Sequence, residues 1–231
     1  MNPNIKRILI WSGWFRLSHL CIGLSTLALL ASGSLIQHSP LLAQHAANMH
    51  HYAASVLLAG LCIRISLMFF GKPHERVSYL FPKARERRSL IAMLRFYTLL
   101  GKAPLPNWYA QNPFWKPIYL FIYLLLISLL ISGVFLSEGK FLLGFPALPI
   151  HQLASDALLI ISLLHLIAVV WHDYKAGGSD VSAMINGVRT FTIDNHEEFK
   201  PTSQAVKFTP MNNSGAKKNT DQKPQAADKG Y

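Results

Sequence analysis

Residues 149–171 read PIHQLASDALLIISLLHLIAVVW, an apolar run whose one carboxylate is Asp156. A bilayer core of about 30 Å takes roughly 20 helical residues to cross, so this stretch is long enough to span it. Two histidines, His151 and His165, lie 14 positions apart within it. At 3.6 residues per turn that separation is almost four turns and about 21 Å of rise. Both side chains therefore leave one face, one near each edge of a membrane. Two haems stacked across a bilayer would need ligands at that spacing.

Three further segments have the length and apolarity of spans: 14–36, 49–70 and 117–136. Residues 8–11 read as an interfacial lead-in to the first. The sequence thus predicts an all-α membrane protein, a bundle of four transmembrane helices. The 231 residues are 51% hydrophobic and only 14% charged, less charge than a soluble domain of this size carries. A net charge of +11 could point to nucleic acid, but the basic residues alternate with blocks too apolar for water. The apolar run after Lys6 and Arg7 contains Arg16 and His19, which a secretory signal core would lack, so it reads as an uncleaved span.

Charge in the loops sets an orientation. Residues 72–116 hold nine Lys or Arg against Glu75 and Glu86, whereas residues 33–48 hold no charge and 137–149 only Glu138 and Lys140. Positive segments stay inside, which places the long loop and both termini in the cytoplasm. Within that loop SLIAMLRFYTLLG, residues 89–101, reads as an interfacial helix. Residues 196–231, rich in Lys, Asn, Gln, Pro and Ala, read as a disordered cytoplasmic tail after a domain over 1–195.

With this topology the histidines fall into level pairs: His50 with His151 on the outer side, His19 with His165 towards the cytoplasm. Neutral imidazole is a common axial ligand of haem iron, and two per iron give a six-coordinate site suited to electron transfer. His51 rivals His50, because adjacent helical residues point about 100° apart and only one can face a given haem. His38 and His45 are placed in the outer loop, and His74, His172 and His196 on the surface. A single membrane histidine can instead bond a neighbouring carbonyl or face the headgroups.

Arg16, three positions before His19, shares its helical face. Arg64, 14 positions after His50, reaches the level of His19 and His165. A haem propionate would offset the cost of burying either guanidinium; the alternative is snorkelling to the headgroups. Cys21 and Cys62 fall inside apolar runs and read as packing residues. No CxxCH motif for covalent haem and no cysteine cluster for iron–sulfur or zinc occurs.

The chain resembles the b-type cytochrome subunit of membrane-bound nickel–iron uptake hydrogenases, and is similar to the membrane subunits of formate dehydrogenase and thiosulfate reductase. The stretches that carry this are WFRLSH at 14–19, HHYAASVLLAGLCIRISLMFFG at 50–71, AQNPFWKP at 110–117, the IH and LLH of the last span, and DVSAMINGVRT at 180–190. The last of these favours the hydrogenase branch. The resemblance implies that His50 and His151 ligate an outer haem b and His19 and His165 an inner one, and it selects His50 over His51. It implies partners: hydrogenase small (iron–sulfur) and large subunits in the periplasm, and a membrane quinone that accepts electrons near the inner haem. Asn112 matches a position of the quinone site, although asparagine before proline is also an ordinary helix-start signal. The bacterial inner membrane is the implied location. One departure is the short loop before the last span, where Leu148 stands in the place of an extra histidine.

A different class remains open from the residues alone: a polytopic transporter using histidines for metal or protons. It predicts carboxylates inside the spans.

Overall fold

The computed structural model describes residues 4–139, 141–142, 144–176 and 180–193. In chain order it has β1 (Asn4–Leu9), α1 (Gly13–His38), α2 (Ala43–Phe70), α3 (Arg87–Thr98), α4 (Lys116–Ser137), β2 (Phe141–Leu142), β3 (Phe145–Pro146), α5 (Ala147–Ala176), α6 (Asp180–Asn186) and β4 (Val188–Ile193). The protein is mostly helical. Helices α1, α2, α4 and α5 are each long and apolar enough to cross a membrane. They make a multi-pass helical membrane bundle. Their apolar residues do not form one stripe: Leu24, Leu27, Phe121, Leu163 and Ile167 all lie exposed, as expected where the surroundings are hydrocarbon.

Local chemistry fixes the helix ends. Ser12 caps α1, its Oγ accepting from the Phe15 amide at 3.1 Å. Gly71 ends α2, and Pro117 sits in the first turn of α4, where its missing N–H costs nothing. Helices α1 and α2 form one hairpin, α4 and α5 another, with close backbone approach inside each. Gly60 allows the first hairpin to close: a Cβ there would lie 2.8 Å from Cys21 Cβ. The two hairpins meet through side chains, Leu57 and Leu61 of α2 against Leu126 of α4 and Leu158 of α5.

The basic end is capped by folded chain that the hydropathy pattern did not foretell. Residues 8–11 are not a bare lead-in. Strand β1 pairs with β4, and Ile10 and Trp11 are buried with Phe15, Ala110 and Ala183. The carbonyl of Gly187 (φ +82°) accepts from the amides of Ile10 and Trp11 at 2.9 and 3.2 Å. A Cβ at Gly187 would meet the Trp11 carbonyl at 2.9 Å, so the junction requires glycine there. Helix α3 takes the place of the expected interfacial helix, burying Met93 and Phe96.

Three loop and surface expectations change. His38 is the last residue of α1 and His45 lies in the first turn of α2, because the helices run further than hydropathy alone indicated. His74 is half-buried, its Nε2 at 2.6 Å from the Ile10 carbonyl. His172 is not a surface residue: it is 3% exposed. His196 and the proposed tail lie outside the described residues.

Candidate functional site

Two layers of histidine lie at opposite ends of the leucine layer. At the end remote from the basic loop, the rings of His50 and His151 lie with centroids 6.2 Å apart and planes tilted by 57°. Each stands on the inner side of its own hairpin, held by a serine of the neighbouring helix. Ser32 Oγ of α1 lies 2.9 Å from His50 Nδ1, and Ser132 Oγ of α4 lies 2.9 Å from His151 Nδ1.

Each serine also has a carbonyl of its own helix in reach, Ala28 from Ser32 at 2.7 Å and Leu129 from Ser132 at 3.2 Å. With the hydroxyl proton on that carbonyl, the serine oxygen accepts from Nδ1, which then carries the ring proton. Nε2 is left with its lone pair, the form in which imidazole binds a metal. Gly33 and Gly133 follow the serines and lie against the same ring edges, a Cβ at either coming within 3.7 and 3.5 Å of Cε1.

These residues fit an iron porphyrin. Metal–imidazole bonds of about 2 Å, as found at zinc, with about 1 Å from each nitrogen to its ring centre, give centroids about 6 Å apart. The observed separation meets that figure. Among the described residues no group of three or more His, Cys, Asp or Glu could hold a metal ion.

The other pair is less closely joined. Between His165 and His19 no ring contact occurs among the described residues. The His165 ring stands edge-on to Trp115 and Tyr119, with centroids 5.3 and 6.0 Å away, and its Nδ1 is buried without a hydrogen-bond partner. The His19 side chain is exposed. His51, the rival of His50, is exposed as well.

The arginines are partly taken up by the protein itself. Arg64, 2% exposed, donates through Nε to Tyr123 and through one terminal nitrogen to the Glu75 carbonyl, each at 2.8 Å. Its second terminal nitrogen is buried with no partner. That orphan is the atom a propionate could reach. Arg16 donates to the Ile185 carbonyl at the end of α6, while its Nε is buried and unpartnered. Asn112 is buried and its Oδ1 accepts from the Phe114 amide at 3.0 Å, a turn-forming bond ahead of α4. Its Nδ2 lies 3.7 Å from Met93 Sδ.

Sequence reading missed a polar chain beside His165. Trp115 Nε1 donates to Tyr97 Oη at 2.8 Å, and Tyr97 Oη lies 2.8 Å from His172 Nε2. An indole only donates, so the phenol proton is free to reach the imidazole. Burial pushes the Tyr97 phenol up to about 12, opposed by the indole bond. Trp108 packs edge-on to His172 and also lies under Arg189, which pairs with Asp180 at 3.0 Å and donates to the Trp108 and Tyr109 carbonyls. Below it, the Glu75 carboxylate accepts from the Ser12 and Lys72 amides at 3.0 and 3.1 Å. Burial alone would raise that carboxyl; the Ser12 and Lys72 hydrogen bonds outweigh it and hold it below its ordinary value.

The chain matches the family described as prokaryotic cytochrome b561 over residues 10–187. No curated protein and no solved structure gives a match. The matched region contains all four apolar helices, the four histidines and the capping segment up to the Gly187 junction. With most of its length so covered, the chain belongs to the prokaryotic cytochrome b561 family and is a haem-binding, b-type electron-transfer cytochrome of the membrane.

Proposed function

We propose that this cytochrome carries two haems b, one between His50 and His151 and one between His19 and His165. On this reading it passes electrons from a periplasmic nickel–iron hydrogenase to the quinone pool of the bacterial inner membrane. The observation that supports the reading is the pairing of His50 and His151, ring centroids 6.2 Å apart, each with a serine hydroxyl 2.9 Å from its Nδ1. The haems, when bound, supply reversible one-electron chemistry. The chain's own residues orient the imidazoles, exclude water and separate the two sites. Two histidines holding each haem would suit electron transfer and disfavour oxygen chemistry.

The hydrogenase partner rests on the sequence resemblance, above all on DVSAMINGVRT, which forms α6 and the start of β4. The short β2–β3 hairpin before α5 favours a second reading in which the donor is another periplasmic oxidoreductase, one for formate or thiosulfate, or in which the cytochrome stands alone with quinone. The quinone would approach the basic end near His165, with Asn112 and the Tyr97–His172 pair close by. The transporter reading fares worst, because the family is one of cytochromes.

The test is purification of the full chain with its native partners. Two haems per chain and a nickel-containing subunit in the same complex are expected. A chain holding one haem or none would overturn the two-site assignment. A complex lacking nickel but holding another redox subunit would move the donor to the second reading.

A further inference from the structure

His165 differs from His50 and His151 in what holds Nδ1. At His50 and His151 it faces a serine hydroxyl at 2.9 Å. At His165 it is sealed from solvent with no acceptor. A ligand that gives its Nδ1 proton to an acceptor becomes a more basic donor through its other nitrogen, which stabilises the oxidised metal. An imidazole without that bond donates less and favours the reduced metal.

We propose that Ser32 and Ser132 are positioning residues that lower the potential of the iron held by His50 and His151, while the unpartnered Nδ1 of His165 leaves the other iron higher. The hydrogen bonding around the ligands then gives the electron path its direction, from the serine-backed end towards the basic end. In the step concerned one electron moves, the first iron passing from ferrous to ferric and the second from ferric to ferrous. No bond is made or broken and no proton is released. The inference rests on the two-haem reading and adds to it the cause of the gradient.

The pairing is not an accident of one helix. It occurs twice, on separate hairpins, with serine 18 positions before His50 and 19 before His151. In both cases the serine also has a carbonyl of its own helix within hydrogen-bond reach, which leaves its oxygen able to accept from the ring. Both serines are buried, Ser32 5% and Ser132 0% exposed, so water does not compete for the site.

The experiment is a potentiometric titration of the full-length purified cytochrome, followed by the visible absorption of the reduced haems. The His151→Ala variant identifies the wave that belongs to the serine-backed site. That wave is expected at the more negative potential. Ser32→Ala and Ser132→Ala should each move it positive, raising the reduced-to-oxidised ratio at fixed potential about tenfold, equivalent to 59 mV for one electron. Ser32→Thr and Ser132→Thr, which keep a hydroxyl, should hold it in place, and the other wave should not move. A wild-type order opposite to this, an unmoved wave in both alanine variants, an equal shift of both waves, or loss of the haem that threonine fails to restore would each overturn the proposal. Two haems retained with unmoved waves would remove the gradient mechanism and leave the two-haem reading standing. A wild-type chain with fewer than two haems would remove both.

Discussion

At the scale of single residues, the four proposed ligand positions make separable predictions. His50→Ala and His151→Ala are each expected to remove the same haem, and His19→Ala and His165→Ala the other. Each variant should then keep one haem per chain, counted by pigment extraction from the purified protein. Retention of both haems in any of the four would break the assignment. These histidines were legible because an ionisable side chain inside an apolar run is costly and therefore conspicuous. Ser32 and Ser132 were not. A serine in a membrane helix satisfies itself on a carbonyl three or four residues back, as both do here, and so looks inert in sequence. The Ser–Gly pairs at 32–33 and 132–133 were a usable signal, since each precedes a histidine by almost the same interval. His172 was misplaced on the surface for another reason: it follows the apolar run, and its partner Tyr97 lies 75 positions away.

At the scale of elements, the spans were readable because length and apolarity are local properties, and all four helices include the segments that hydropathy marked out. The β1–β4 pair was not, because its strands lie near opposite ends of the described chain and neither holds enough apolar sequence to declare itself. Glu75 joins the elements at the basic end. Its carboxylate receives the amides of Ser12, at the start of α1, and Lys72, just after α2, while its carbonyl receives Arg64. Replacing this buried acceptor by Glu75→Gln is expected to cost about 1.5–3 kcal/mol, the range for hydrogen bonds to charged groups. The pH dependence has a definite sign. Because the folded carboxyl lies below its ordinary 4.5, its contribution is present above that value and is lost as the pH falls towards the folded value. Thermal unfolding of the detergent-solubilised protein should show wild type well above Glu75→Gln at pH 7, with the gap narrowing below pH about 4.5. A gap that widened on acidification would refute this account of Glu75.

At the scale of the whole molecule, the distribution of charge and the order of the two sites must agree. The segment from 72 to 116 carries nine of the basic residues and packs at the same end as His165, through Trp115. The hydrophobic helices alone have no preferred direction; the positive end sets it, because cytoplasmic loops keep an excess of Lys and Arg. If that end faces the cytoplasm, His50 and His151 face the periplasm, where a periplasmic donor could reach them, and electrons would travel inward. The reverse orientation would place the Tyr97–His172 chain on the donor side and leave the proposed direction without a source. Cysteine labelling can separate the two arrangements in intact cells, using a background in which Cys21 and Cys62 are replaced by alanine. Lys102→Cys and Gln37→Cys suit the purpose, since both positions are exposed and lie at opposite ends of the bundle. A membrane-impermeant thiol reagent should modify Gln37→Cys, given an open outer membrane, and leave Lys102→Cys untouched until the inner membrane is breached. Labelling in the opposite order would invert the molecule, and the hydrogenase-to-quinone direction would fall with it even if both haems were present.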